Sequence, residues 1–142
     1  MRISTKGRYA LRLMLDLAIY DTGEPVSLKD IAKRQDISEK YLEQIMGIVN
    51  KAGFVNSVRG SGGGYRLRKP VEDYTVGEIL RSTEGSLAPV ACVDDGSCDR
   101  IDFCTTFKVW KRIGDAIDDV VDHITLADLV EWQKEGIEDY VI

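Results

Sequence analysis

The sequence predicts a mainly helical chain carrying one short β-hairpin, and three observations lead there. Apolar residues recur at three- and four-residue intervals over 9–20 and again over 107–124, the period of helices with one buried face. Two further short helical stretches, near 28–34 and 38–52, are separated by only a few residues. Behind them, the β-prone runs Phe54-Val-Asn-Ser-Val58 and Tyr65-Arg-Leu67 flank Arg59-Gly60-Ser61-Gly62-Gly63-Gly64, the pattern of a hairpin with a glycine-rich tip.

Taken in order, the first helix carries Leu11, Met14, Leu15, Ala18 and Ile19 on helical spacing, with Leu13 and Leu17 widening the apolar face, so it is expected to be buried on more than one side. Asp21-Thr-Gly-Glu-Pro25 ends it. Ser27, with Asp30 three residues on, resembles an N-cap and opens a short helix to about Arg34, with Leu28, Ile31 and Ala32 apolar. After Gln35-Asp36-Ile37, Ser38 caps a third helix to about Ala52, with Leu42, Ile45 and Val49 facing inward. Two helices joined this tightly form a helix-turn-helix, and the hairpin behind them is a wing. Its glycine run lacks the Gly-Lys-Ser/Thr ending and following helix of a phosphate-binding loop.

Pro70 closes the wing, and Thr75 with Glu78 forms a capping box for a helix to about Ser82, with Val76, Ile79 and Leu80 packing back. From Thr83 to about Phe103 there is little periodicity, and a loop of that length is usually functional or disordered. Phe107, Trp110, Ile113, Ile117, Val120, Val121 and Ile124 then line one side of a long helix. A stripe about five turns long needs a partner surface, and a second copy is preferred over the same chain. Thr125 and Asp128 start a last short helix through Leu129 and Trp132, before an acidic, solvated tail. The expected organisation is a winged helix-turn-helix DNA-binding domain over 1–82, a cysteine-bearing cluster loop over 83–106, and a long C-terminal dimerisation helix with acidic tail over 107–142.

Composition agrees with a DNA reader once it is resolved along the chain. The net charge is −5, but residues 1–70 carry 13 Lys and Arg against 7 Asp and Glu, whereas residues 71–142 carry 6 against 17. A basic front and an acidic rear suit a nucleic-acid-binding part followed by a sensing and assembly part. No segment approaches the roughly 20 apolar residues of a membrane span, and Arg8 and Arg12 interrupt any leader-like apolar run at the start. The expectation is a cytoplasmic protein with no membrane partner.

Cys92, Cys98 and Cys104 are the only cysteines, spaced Cys-x5-Cys-x5-Cys. An odd number in a reducing compartment argues against a disulfide framework and for metal ligation or redox chemistry. Structural zinc sites favour closer pairs such as Cys-x2-Cys, so equal gaps of five favour an iron–sulfur cluster over zinc, with free redox thiols the other alternative. Asp94, Asp95, Asp99 and Asp102 between the thiols read as solubilising loop charges. An enzyme using Cys104 as nucleophile would need a nearby base, and with His123 the only histidine the chain is not expected to be one.

The N-terminal end of a recognition helix faces the major groove, which puts Ser38, Lys40, Tyr41, Glu43 and Gln44 near phosphates and base edges. Gln44 has the amide to bond adenine through both atoms; Glu43 accepts from cytosine N4 and repels misplaced phosphate. Arg59 at the wing tip suits a narrow minor groove, and Arg2, Lys6 and Arg8 suit phosphates. The bland alternatives are that Glu39 and Lys40 are solvated helix charges and that Tyr41 belongs to the core.

Met1-Arg-Ile-Ser-Thr-Lys-Gly-Arg-Tyr9, Tyr41-Leu-Glu-Gln44, Val58-Arg-Gly60 with Gly62-Gly-Gly-Tyr65, and the cysteine trio together resemble the IscR-like family of winged-helix repressors, over about residues 1–132. That family also includes the nitric-oxide sensor NsrR and the cysteine-metabolism repressor CymR, whose relatives share the front end without the trio. The resemblance implies a homodimeric regulator that binds a double-stranded DNA operator, holds an iron–sulfur cluster on Cys92, Cys98 and Cys104, and controls cluster-assembly genes; a nitric-oxide, redox or cysteine-metabolism repressor is the alternative. It also implies that Glu43 helps select among operators, and it favours a 2Fe–2S over a 4Fe–4S cluster. The chain departs from the pattern at the fourth ligand. IscR-like proteins have a histidine three residues after the last cysteine, where this chain has Phe107; NsrR-like members use a carboxylate near the partner's N-terminus, where this chain has Arg8. His123 lies 16 residues beyond Phe107, about 24 Å along a helix. A loop aspartate, Thr105, Thr106, a residue of the partner chain or a small molecule remains open as the fourth ligand.

Overall fold

A computed structural model describes the backbone of residues 2–141 and the side chains of residues 2–136. Helix α1 (Thr5–Ile19) starts before the apolar periodicity does, because Ser4 takes the N-cap and its hydroxyl accepts the Gly7 N–H at 3.0 Å. Helices α2 (Leu28–Gln35) and α3 (Glu39–Lys51) follow, capped by Ser27 and Ser38 as expected. Ala10, Leu13, Met14 and Leu17 of α1 are buried together with Ile31, Leu42, Ile45, Met46 and Val49, forming the centre of the core. Each fully buried Leu, Ile or Met contributes on the order of 1.5–3 kcal/mol.

The turn between α2 and α3 is held from α1. Asp16, 1% exposed in the middle of that apolar face, accepts from Arg34 Nη2 at 2.7 Å, Arg34 Nε at 3.1 Å and Gln35 Nε2 at 2.9 Å. Removing the Arg34 side chain leaves the buried Asp16 carboxylate without its cation and is therefore destabilising, whereas removing Asp16 leaves Arg34 open to solvent and costs less. The bond to Asp16 raises the Arg34 guanidinium pKa above its ordinary value. Asp36, which ends α2, is the only described non-glycine residue with positive φ, at 53°. Glycine adopts that backbone without the Cβ penalty but loses more chain entropy on folding. Asp36→Gly is therefore expected to stabilise the protein by about 0.5–1 kcal/mol, seen as a higher urea midpoint at unchanged slope.

Strands β1 (Val55–Val58) and β2 (Gly64–Leu67) pair antiparallel, with Val55 opposite Leu67 and Val58 opposite Gly64. Tyr65 also exchanges two backbone hydrogen bonds with Val26, at 2.8 and 2.9 Å, so the wing is stitched to the segment before α2. The close approach requires glycine at position 64, where a Cβ would lie 2.3 Å from the Val26 carbonyl oxygen. The base of the hairpin is fixed by Tyr74, fully buried, whose hydroxyl donates to the Phe54 carbonyl at 2.6 Å and accepts the Arg68 and Lys69 N–H groups at 3.0 Å.

Helix α4 (Val76–Glu84) has the expected Thr75/Glu78 capping box and lies along α1. The following segment is more ordered than its lack of periodicity suggests: it contains a short helix, α5 (Ala91–Asp95), and a single 3-10 turn at Ile101–Phe103. Docking supplies the missing stabilisation, since Val93 packs on α6 (Phe107–Val121) where Gly114 offers no side chain; a Cβ there would meet Val93 at 3.1 Å. The expected stripe through Ile124 outlasts its helix, because α6 ends at Val121 and the Ile124 carbonyl instead accepts the Val76 N–H. Arg81 of α4 grips α6 and the residue after it, bonding Asp118 at 2.8 Å and Asp122 at 2.6 Å, and this guanidinium holds the Asp122 carboxyl below its usual range.

The last helix corrects the expectation of a short one ending near Trp132. Helix α7 runs Leu126–Val141 and returns to the front of the molecule, with Leu126 fully buried in the α1–α3 core and Leu129 packed against it. Thr125 and Asp128 cap it reciprocally, at 2.9 and 3.1 Å. The side chains of the acidic tail from residue 137 on, expected to be solvated, lie outside the described residues.

Candidate nucleic-acid interface and cysteine loop

The fold brings the expected DNA-facing residues to one side of α3 and to the wing tip. Lys40, Glu43 and Gln44 are exposed in the first turns of α3, and Arg59 is exposed in the turn between β1 and β2. Ser38 is exposed too, but its hydroxyl already accepts the Tyr41 N–H at 3.1 Å, so its first duty is the helix cap. Tyr41 is half-buried and meets Tyr9 edge-on, ring centroids 5.9 Å apart. Arg2, Lys6 and Arg8 are exposed at the start of α1. This is an exposed helix face on which Glu39 and Glu43 stand among Lys40 and Gln44, beside a wing tip that carries Arg59, and its groups match base edges and phosphates in kind.

Sequence reasoning missed the groups that hold this face in place. Asp16, Arg34 and Gln35 sit directly behind the turn, and Arg12 reaches across from α1 to Gln35. One sign of them was legible: an aspartate between Leu13 and Leu17 on a buried face demands a cation.

The cysteines occupy three different settings. Cys92 is half-buried on α5, Cys98 is exposed in the turn after it, and Cys104 is half-buried just before α6; all three thiols are free. The Thr106 hydroxyl lies 3.2 Å from Cys104 Sγ, and that hydrogen bond, helped by the Phe107 N–H, lowers the thiol pKa below its ordinary value. Among the described residues no three His, Cys, Asp or Glu side chains are grouped to hold a metal ion. The donor set is chemically suited to iron and sulfide, three soft thiols on a segment of short turns, but it is not gathered in advance. Phe107 is the half-buried first residue of α6, and its N–H bonds the Cys104 carbonyl at 3.2 Å. His123 lies past the other end of α6, exposed, with Nδ1 2.7 Å from the Asp119 carbonyl oxygen.

One face of α6 stays apolar and open. Trp110 is 36% exposed, Ile113 40% and Val120 56%, and Ile113 and Val120 join Ile3, Leu80 and Leu87 around a cavity of about 450 Å³. No helix among the described residues is long and apolar enough to cross a membrane.

Comparison with known proteins agrees with this arrangement. A family model described as Rrf2, iron-dependent transcriptional regulator, matches residues 3–132. The HTH-type transcriptional regulator IscR of Escherichia coli is 41% identical over 134 residues, 94% of this chain and 83% of that protein. Among solved structures, T. potens IscR superposes with a TM-score of 0.79 at 43% identity, covering 96% of this chain and 90% of that one. CymR, the global cysteine regulator of B. subtilis, superposes equally, with a TM-score of 0.79 at 40% identity over 93% and 98% of the two chains. These relatives are named as regulators rather than enzymes, and the family model spans the helix-turn-helix, the wing, the cysteine loop and α6 alike: the chain belongs to the Rrf2 family of transcriptional regulators.

Proposed function

We propose that the chain is a homodimeric, DNA-binding regulator that holds an iron–sulfur cluster on Cys92, Cys98 and Cys104 and couples the state of that cluster to operator choice, at promoters of cluster-assembly genes. The observation that carries this reading is the placement of three free thiols on the segment leading into α6, whose outer face is apolar and open. When bound, the cluster supplies an oxygen- and redox-sensitive centre. The chain's own part is to gather the thiols: α5 and the 3-10 turn move relative to one another while Val93 on Gly114 keeps the segment attached to α6, which Arg81 on Asp118 in turn ties to α4. Such a change biases DNA binding only through unequal affinity for two arrangements of the paired recognition helices. Residues 1–82 read DNA, 83–106 sense, and 107–142 assemble the dimer, with α7 also bracing the reading part.

Protein purified without oxygen is expected to absorb in the visible and to contain iron and acid-labile sulfide, and to enrich a duplex with two related half-sites from a random-sequence library. A colourless protein holding stoichiometric zinc after reconstitution with iron and sulfide rejects the cluster. The equal superposition on CymR supports a second reading, a nitric-oxide, redox or cysteine-metabolism repressor, and its cysteine-metabolism form predicts enrichment of an operator by cluster-free protein with no change on reconstitution.

Roles within the DNA face are separable by salt. Arg59→Ala is expected to weaken binding to most operators and to lower the slope of log affinity against log salt by about one, because it removes a groove charge. Glu43→Ala instead is expected to change the ratio between two operators by about 5- to 100-fold, the span of one base-pair mismatch. If both substitutions scale all affinities alike, Glu43 does not select.

A further inference from the structure

The exposed cation Arg12 invites assignment as a phosphate contact, but its bonding points elsewhere. Its Nε donates to Gln35 Oε1 at 3.1 Å, its Nη2 donates to the Gln35 backbone carbonyl, and its guanidinium carbon stands 5.1 Å from the centroid of the Tyr9 ring. Gln35 uses the other end of its amide to donate to buried Asp16 at 2.9 Å. Tyr9 in turn meets Tyr41, in the first turn of α3, edge-on at 5.9 Å. Arg12 thus touches both ends of the α2–α3 turn: the last residue of α2 directly, and the start of α3 through Tyr9.

We infer that Arg12 and Gln35 are positioning residues for DNA reading, holding α3 in register against α1 so that discrimination between base sequences, rather than grip on phosphate, depends on them. The inference rests on the DNA-reading function proposed above. A guanidinium suits this role because it donates two hydrogen bonds in a fixed plane and stacks on an aromatic face at once, whereas a lysine ammonium is a point charge without that fork. The turn is only three residues long, Asp36 in a left-handed conformation, buried Ile37 and the cap Ser38, so the placement of the end of α2 against α1 passes directly to the start of α3. Side chains that fix it from outside therefore set where Lys40, Glu43 and Gln44 stand.

The test uses a duplex enriched by the wild-type protein from a random-sequence library, its scrambled counterpart, and the full-length variants Arg12→Met, Arg12→Lys, Gln35→Met and the double Arg12→Met/Gln35→Met. Arg12 is exposed and Gln35 half-buried, and thermal unfolding of each variant confirms that it is folded at the assay temperature. The expected result is a drop of about tenfold in the affinity ratio of selected over scrambled duplex for Arg12→Met and Gln35→Met, with the salt slope unchanged. Arg12→Lys is expected not to restore the ratio, and the double variant to lose no more than the worse single one, since both residues act on one turn. Restoration by lysine, or a salt slope lowered by about one with the ratio intact, overturns the inference and makes Arg12 a phosphate contact. A wild-type protein that enriches no sequence counts against DNA reading itself, and is told apart because it precedes any variant.

Discussion

Alanine at Cys92, Cys98 or Cys104 is expected to reduce iron and acid-labile sulfide in anaerobically prepared protein from stoichiometric to background, while shifting folding stability by less than about 0.5 kcal/mol. The two halves of that expectation have separate causes. Each thiol is one of only three in the chain, so the loss of any one leaves two soft donors for iron. None of the three belongs to the buried core, so nothing in α1–α4 is left unpacked. Iron retained in all three variants, measured against protein concentration, defeats the cluster assignment. The same assay addresses the fourth ligand. Phe107→His places an imidazole where α6 begins and is expected to slow bleaching in air, whereas His123→Ala, at the far end of that helix, is expected to leave the rate unchanged. Fastest bleaching in His123→Ala would mean that this ring is a ligand after all, supplied by the partner subunit.

The parts of the fold legible in the sequence are those dictated by local chemistry. Ser27, Ser38 and Thr75 cap where a hydroxyl followed by helical periodicity says they must, and the glycine run between β-prone segments makes the hairpin tip. What escaped was set by partners distant in the chain. The start of α1 looks unpromising, with Gly7 inside its first turn, yet the Glu84 carboxylate accepts the Ser4 N–H at 2.6 Å from 80 residues away. Helix α5 has no periodicity to read in five residues and exists where Val93 finds Gly114. The length of α7 was hidden by the charges after Trp132, while its anchorage through Leu126 depends on a core drawn from α1–α3, Tyr74 and Ile79, all far earlier in the chain. The exposure of Lys40, Glu43 and Gln44, the proposed DNA face, was legible from helix periodicity alone; the scaffold of Asp16, Arg34, Gln35 and Arg12 behind it was not, because pairing 18 to 23 residues apart leaves no spacing signature.

The open face of α6 carries the other large effect. In the proposed homodimer, Ile113→Asp is expected to raise the dissociation constant by roughly 100-fold or more, because a carboxylate on the proposed α6 interface would be desolvated without a partner, at a cost of about 3 kcal/mol or above. The position is chosen for what it does not disturb. Ile117 and Val121, on the same stripe, pack against Val76, Leu80 and Leu87 within one chain, so a charge there would damage the monomer as well. Ile113 is already 40% exposed in the isolated chain and Val120 56%, so Ile113→Asp and Val120→Asp should keep the thermal transition of the monomer while losing assembly. Binding to a duplex with two half-sites should fall with the dimer, since one recognition helix grips only one half-site. Binding to a single half-site should be little changed. Sedimentation that finds the wild-type protein monomeric at micromolar concentration, yet tightly bound to the two-half-site duplex, removes the second copy from α6 and leaves its apolar face in need of another occupant.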